Sequence, residues 1–258
     1  MSLKLGGGSI AKGYLGATEI IKAYLGANLV FSSGDTTSFI TTWRTTTTNE
    51  TITIPTTGSG YNYDISTSDG QTFTSVTGNQ TITFASAGDY DVSISGDFPR
   101  IYINNGGDNE KIVEIKQWGN ISWTSFYKSF WGSINLYITA TDAPDLSNVT
   151  NLQLMFKQCR YVTSNISNWD VSNITTMRSM LHTTNFNENI GSWDITNVSV
   201  FLLFLKTSNG LSTSNYDAIL IGWEATLQAT YPNGSGYTPI ISIDFGGAEY
   251  TGGGAAAT

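Results

Sequence analysis

The phrase ISNWDVSNITTMRSML, beginning at Ile166, returns as IGSWDITNVSVFLLFL, beginning at Ile190. Trp169 and Trp193, Asp170 and Asp194, Val171 and Ile195, Ile174 and Val198, Met177 and Phe201, and Met180 and Phe204 are all separated by the same interval. An earlier copy, DLSNVTNLQLMF, sets Leu146, Val149, Leu152 and Met155 ahead of Val171, Ile174, Met177 and Met180 by an interval one position longer. In GNISWTSFYKSF, Trp123, Phe126 and Phe130 precede Val149, Leu152 and Phe156 by an interval longer by one again, a degraded fourth copy. A repeat in the twenties buries its apolar side only against its neighbours, so this stretch has to stack copy upon copy.

The spacing within a copy suggests a strand, a turn and a short helix. Trp169 and Val171 would share one face of the strand, with Asp170 outward. Ser172 or Asn173 would then cap a helix carrying Met177, Met180 and Leu181 at three- and four-residue intervals. The repeated tryptophans are expected in the core of the stack. The apolar run Phe201–Leu205 would close it beneath the C-terminal segment.

LSNVTNLQLMFKQC, ISNWDVSNITTMRSML and IGSWDITNV resemble the repeat of the BspA-like surface proteins, the mycoplasma-type leucine-rich repeat family. Outward from these, FITTWRTTTTNETITIP, ISGDFPRIYINN, IKQWGNISWTSFYKSFWG and LSTSNYDAILIGW extend the resemblance over Phe39 to Trp223. The resemblance implies an adhesive or recognition module without catalytic residues. It also implies that the only cysteine, Cys159, lies inside the core.

Charge narrows the partners. The formal net charge is −8, with charged residues only 12% of the 258. That disfavours an electrostatic grip on nucleic acid and leaves glycans, proteins and cationic surfaces. A single cysteine excludes an intrachain disulfide framework, and the lone His182 excludes a histidine cluster for zinc. With 40% hydrophobic residues the composition is that of a folded chain.

At the N-terminus, Ile10, Lys12, Tyr14, Leu15 and Gly16 recur as Ile20, Lys22, Tyr24, Leu25 and Gly26, at one constant spacing. Each unit reads as a short strand ended by Gly. The tandem phrase resembles the N-terminal segment of some phage structural proteins. Tyr14, Leu15, Tyr24 and Leu25 are therefore candidates for attachment to a particle; an added hairpin of the next domain is the plainer alternative. No secretory signal is apparent, nor an apolar stretch that spans a bilayer. This favours a virion protein over a bacterial surface adhesin.

From Asp35 to Asn105 the chain alternates like antiparallel strands: Thr51–Ile54, a face of Tyr61, Tyr63 and Ile65, Phe73–Val76, Thr81–Phe84 and Tyr90–Ile94. Such spacing suggests a β-sandwich. TITFASAGDYDVSISG resembles the closing hairpin of polycystic-kidney-disease-like and immunoglobulin-like domains, although the usual preceding W-G-D-G is here Thr67, Ser68, Asp69 and Gly70. Asp64, Asp69, Asp89, Asp91 and Asp97 lack the alternating pattern of a calcium loop and suit turns better.

Between residues 118 and 137 aromatics crowd together. They suit the hydrophobic cap of a repeat stack. Where exposed, Trp118, Trp123, Trp131 and Tyr137 are candidates for stacking on sugar rings. Near the C-terminus, LSTSNYDAILIGWEA suggests a helix capped by Ser212 or Thr213, with Tyr216, Ile219, Leu220 and Trp223 on one face over the end of the stack. Ile240–Phe245 suggests a last strand, and the closing GGGAAAT suggests a truncated product. The sequons at Asn148, Asn173 and Asn197 fall at repeat positions, which accounts for them without glycosylation.

Asp142, Asp145, Asp170 and Asp194 are the acids that a glycosidase would have to recruit. Repetition of Asp170 and Asp194 points instead to a recurring turn hydrogen bond, and no enzyme, metal or cofactor is expected. The expected fold class is mainly β with short helices. Residues 1–33 would form an attachment or oligomerisation segment, 34–105 an immunoglobulin-like sandwich, 106–223 a leucine-rich repeat solenoid and 224–258 a capping segment. The expected function is a noncatalytic virion structural protein (head fibre, decoration or tail adhesin) that contacts other virion proteins through its N-terminus and a host glycan or protein through its repeats. No membrane insertion is expected. A homotrimer is carried as a hypothesis from the usual symmetry of fibres. The alternatives are a bacterial cell-surface adhesin and, behind it, a polysaccharide-degrading tail enzyme.

Overall fold

The computed structural model describes the backbone of residues 14–15, 18–19, 22–25 and 28–32, and residues 35–162, 165–206 and 211–232 with their side chains. The expectations for Ile10, Lys12, Gly16, Ile20, Gly26, the strand at Ile240–Phe245 and the GGGAAAT tail lie outside the described residues.

Met1–Thr37 is one compact unit and Ser38–Thr258 another. In the first, β1 (Tyr14–Leu15) pairs antiparallel with β2 (Thr18–Glu19), and β3 (Lys22–Leu25) with β4 (Asn28–Ser32). Tyr14 faces Glu19 and Tyr24 faces Leu29, so the tandem phrase makes two hairpins of like register.

The second unit is mainly β. Its strands are β5 (Phe39–Thr45), β6 (Glu50–Ile54), β7 (Asn62–Thr67), β8 (Thr72–Val76), β9 (Gln80–Phe84), β10 (Gly88–Asp97), β11 (Ile112–Gln117) and β12 (Tyr137–Ile138). Six form a mixed sheet in the order β12-β11-β5-β10-β7-β8, antiparallel except at β11–β12, while β6 and β9 form a separate pair. The period-two reading of 51–94 holds on β6, β7, β9 and β10, whereas β8 does not alternate and turns left-handed at Ser75. Tyr61, Tyr63 and Ile65 are buried on one face, and Ile52, Ile54, Ile82 and Phe84 are buried on β6 and β9. The sheet draws strands from both sides of the 105/106 boundary expected from the sequence, because β11 returns to lie against β5.

Beyond the sheet, segments 126–132, 151–158, 176–183 and 200–206 stack as parallel coils. Phe126, Lys128, Phe130 and Gly132 donate their N–H groups to the carbonyls of Asn151, Gln153, Met155 and Lys157. Leu152, Leu154, Phe156 and Gln158 donate to Thr176, Arg178, Met180 and His182, and Met177, Ser179, Leu181 and Thr183 to Val200, Leu202, Phe204 and Lys206. The degraded copy at Phe126–Phe130 is therefore a full member of the ladder. Its Phe130 stacks on the equivalent Phe156, with centroids 5.5 Å apart.

Inside each coil the sequence expectation needs correcting. Trp169–Val171 is not a strand; the pairing runs instead through Asn151, Thr176 and Val200. No helix follows Ser172 either, and α1 (Thr213–Thr230) is the one α-helix among the described residues. The reason is backbone geometry: Lys128, Leu154, Ser179 and Leu203, at successive equivalent positions, all have φ between 53° and 61°. A left-handed residue in the middle of each segment breaks a helix and sends the N–H groups to the neighbouring coil. Gly132, Gln158 and Thr183 form a second left-handed column. Gly132 is required there, since a Cβ would overlap the Asn105 side-chain oxygen.

Aromatic rings join sheet and coils into one core. The Trp118 ring stacks on Phe39 of β5 at 5.8 Å and meets Trp169 of a coil edge-on at 5.3 Å. The aromatics of 118–137 thus lie at one end of the stack, where Trp118, Trp123, Phe126 and Phe130 are buried in a joint with the sheet instead of closing the end on their own. At the far end α1 caps the stack as expected, with Ser212 accepting from the Asn215 N–H. Trp223 donates to the Ile190 carbonyl as Trp193 donates to the Ile166 carbonyl, so the helix takes the place of a further coil.

Candidate functional site

The ladder register fixes which side chains line up on the outside of the coils. Asn151, Thr176 and Val200 are backbone partners. Counting along from them, Lys157, His182 and Lys206 share a row, and the hydrogen bonds of 126–132 put Trp131 at its head. A neighbouring row holds Tyr127, Gln153, Arg178 and Leu202. Successive members stand about 4.8 Å apart, the spacing of hydrogen-bonded strands.

At the heads of the two rows, Tyr127 and Trp131, cations lie against rings. Lys128 Nζ is 5.0 Å from the Tyr127 ring centroid and 5.3 Å from that of Trp131; Lys157 Nζ approaches Trp131 to 4.9 Å. Trp131 Nε1 donates to Gln158 Oε1 at 2.8 Å, which fixes the indole. Tyr102 continues the cluster, 6.5 Å from Tyr127 and beneath the Arg100 guanidinium at 5.8 Å. No Asp or Glu occurs in 126–132, 151–160, 176–183 or 200–206. Among the described residues, no carboxylate is within ion-pair distance of Lys128, Lys157, Arg160 or Arg178.

Of the residues singled out for sugar stacking, Trp118 and Trp123 are fully buried against Phe39, Phe126 and each other, which leaves no ring face for a ligand. They are corrected to core residues. Trp131 is half-buried in the cationic cluster, and Tyr137 is exposed on β12. The structure does not bring these two together with a shared ligand surface. Sequence reading passed over the basic row, although the steps from Trp131 to Lys157, His182 and Lys206 shorten by one position each time, as the core repeat does. Tyr14–Leu15 and Tyr24–Leu25 are placed as strand backbone.

The acids available for chemistry are engaged in turns. Asp145, Asp170 and Asp194 accept from the N–H groups of Ser147, Ser172 and Thr196, and the bonds from Ser147 and Ser172 hold the carboxyls of Asp145 and Asp170 below their ordinary range. The recurring turn bond read from the repeat is therefore present. Asp142 accepts from the N–H groups of Trp118 and Gly119. Of the aspartates considered for calcium, Asp89 pairs with Arg44, Asp91 with Lys116, Asp69 accepts from Thr67 and Gln71, and Asp64 from the Ser75 N–H. No group of three potential metal ligands occurs among the described residues.

Asn173 and Asn197 donate their side-chain amides to the carbonyls of Ser147 and Ser172 in the preceding repeats. The sequon asparagines at these two positions thus tie one repeat to the next. Cys159 is fully buried, its thiol donating to the Phe130 carbonyl at 3.0 Å, and burial pushes its pKa up. Two open concavities of about 390 and 480 Å³ flank the Gly106–Lys111 loop. Between them Lys111 bridges Glu50 and Asp108 at 3.0 and 2.9 Å.

The fold and this face define a mainly β protein, part of it built from stacked repeats, with rows of equivalent side chains on the outside of its coils. Within that class, residues 107–218 match the family model described as "Mycoplasma protein of unknown function, DUF285", the domain associated with BspA-like surface proteins. Residues on either side lie outside the match. No curated protein and no solved structure matches the chain. No described helix is long and apolar enough to cross a membrane.

Proposed function

We propose that the chain is a noncatalytic recognition module: a leucine-rich repeat solenoid of the BspA-like kind, built onto an immunoglobulin-like β-sandwich and carried on a phage virion by its N-terminal hairpins. The observation that supports recognition most is the outward face of the coils, where repeat-equivalent side chains form continuous rows while the remaining repeat residues are spent on core and turns. Turn bonding of Asp145, Asp170 and Asp194 supports a noncatalytic role. Virion attachment rests on the resemblance of the tandem YLG phrase, and its partners would be other virion proteins on one side and a host glycan or protein on the other. A homotrimer is the proposed assembly.

Immunogold electron microscopy on the source culture, with antibody raised against residues 38–232, tests the location. Gold on capsids or tails is the expected result. Gold on cell envelopes, with bare particles, would overturn the virion reading in favour of a bacterial surface adhesin. Light scattering tests the trimer, which a monomeric mass would rule out.

A further inference from the structure

Among the described residues, two sets of cations differ in their surroundings. Those described on the sheet and its adjoining loop are neutralised locally: Arg44 by Asp89, Lys111 by Glu50 and Asp108, and Lys116 by Asp91. Those on the coil face, Lys128, Lys157 and Arg178, have no carboxylate within ion-pair distance among the described residues. In a chain of net charge −8, three neighbouring cations with no described carboxylate beside them need a reason.

We infer that this face binds an acidic polysaccharide, one whose sugars carry carboxylates, laid along the rows from Tyr102 and Tyr127 past Trp131 to Lys157 and Arg178. The inference rests on the recognition reading above and names its ligand class. The rows run from coil to coil at about 4.8 Å per step, which suits a linear chain bearing regularly placed anions better than a single small anion. Contact with the Tyr127 and Trp131 rings holds the ammonium groups of Lys128 and Lys157 in place before any ligand arrives, which reduces the entropy lost on binding. Tyr102, Tyr127 and Trp131 present rings with polar edges beside those charges, matching the apolar faces and hydroxyls of sugars. Nucleic acid has a far denser line of charge, about one per 1.7 Å of duplex, which does not match the steps of about 4.8 Å between coils.

The test uses the full chain and four probes: polygalacturonate, a neutral glucan, an oligothymidylate and phosphatidylglycerol vesicles. Binding is followed by biolayer interferometry in low and raised salt. The expected result is binding to polygalacturonate alone, weakened by salt and reduced about tenfold or more in the double variant Lys128→Gln/Lys157→Gln. The control Arg44→Gln/Lys116→Gln removes equal charge from the sheet and should change binding far less; thermal melting of both variants checks that they remain folded. A response to polygalacturonate that the two double variants lower equally would reduce the effect to net charge and overturn the inference. So would absence of polygalacturonate binding in low salt, or stronger binding to the oligonucleotide or the vesicles. Binding to the neutral glucan alone would sink the acidic ligand yet leave the recognition reading standing, whereas no binding to any probe, with gold absent from particles and envelopes alike, would count against both.

Discussion

The six-stranded sheet and the coil stack solve the same backbone problem with different periods. In the sheet, strands such as β5, β7 and β10 pair antiparallel, and alternate residues turn inward. In the coils each segment bonds in parallel to its counterpart in the next repeat, with left-handed residues at fixed places. The charges differ too: Arg44, Lys111 and Lys116 of the sheet and its loop are paired, while Lys128, Lys157 and Arg178 of the coils have no carboxylate within ion-pair distance among the described residues. The lesson is that a sheet of this kind is complete in itself, while a stack needs something at each end. Here the sheet closes one end through Phe39, Trp118 and Trp169, and α1 closes the other through Trp223.

The strongest way to break that comparison is through the shared core. Trp193→Ala removes a buried ring and one of the two donors to the Ile166 carbonyl, the Trp169 N–H being the other, for an expected loss of about 3–5 kcal/mol in denaturant unfolding. Hydrogen exchange should show amides of β5 and of the coils losing protection together. Loss confined to the coils would mean that the two regions unfold separately.

Next comes the helical end. A Cβ at Gly222 would overlap the Gly191 carbonyl oxygen, and one at Gly191 would overlap that of Ala218. Gly to Ala inside an ordinary helix gains up to about 1 kcal/mol. Here Gly222→Ala is expected to lower stability by about 1–3 kcal/mol, because the helix must retreat from the coil. A raised melting temperature would show that α1 does not sit against the last coils.

The inter-repeat side-chain bonds should matter less. Asn197→Ala deletes the amide bond to Ser172, 2.7 Å long and exposed, for an expected loss of about 0.5–1.5 kcal/mol. Equilibrium denaturation beside Asn173→Ala checks whether the equivalent rungs are of similar size.

Acid provides a finer probe of the sheet. N–H donation from Thr46, then Lys111 and the Thr47 N–H, hold the Glu50 carboxyl pKa at about 2. A depressed carboxylate stabilises the fold above its unfolded value, near about 4.3, and that contribution fades as the pH drops through about 2. Glu50→Gln should flatten the dependence of the denaturation midpoint on pH across this window. An unchanged slope would remove Glu50 from the turn between β5 and β6.

Much of the fold was legible because burial leaves a period in the sequence. Alternation marked β6, β7, β9 and β10, and the repeat of Trp169 at Trp193 marked the stack. What the sequence hid was geometry without a residue signature. The left-handed column runs through Lys128, Leu154, Ser179 and Leu203, residue types that do not announce positive φ. The return of β11 to β5 joins segments far apart in the chain, Ile112 with Trp43 for example, and no local pattern encodes that pairing. The site was half legible. The aromatic stretch was visible, but not which rings the joint would bury: Trp118 and Trp123 went inside, and Trp131 stayed at the surface.

The stacking register is tested most directly by disulfide trapping. Gln153 and Arg178 occupy equivalent outward positions on adjacent coils, where the Cα separation falls in the range of about 4.4–6.8 Å that a disulfide needs. The double variant Gln153→Cys/Arg178→Cys, with Cys159 left buried, should oxidise to an intramolecular disulfide and retain its melting temperature. Gln153→Cys/His182→Cys, well out of register, should remain reduced. Equal oxidation of both pairs, or of the second alone, would contradict the coil register on which the core, the rows and the proposed ligand all depend.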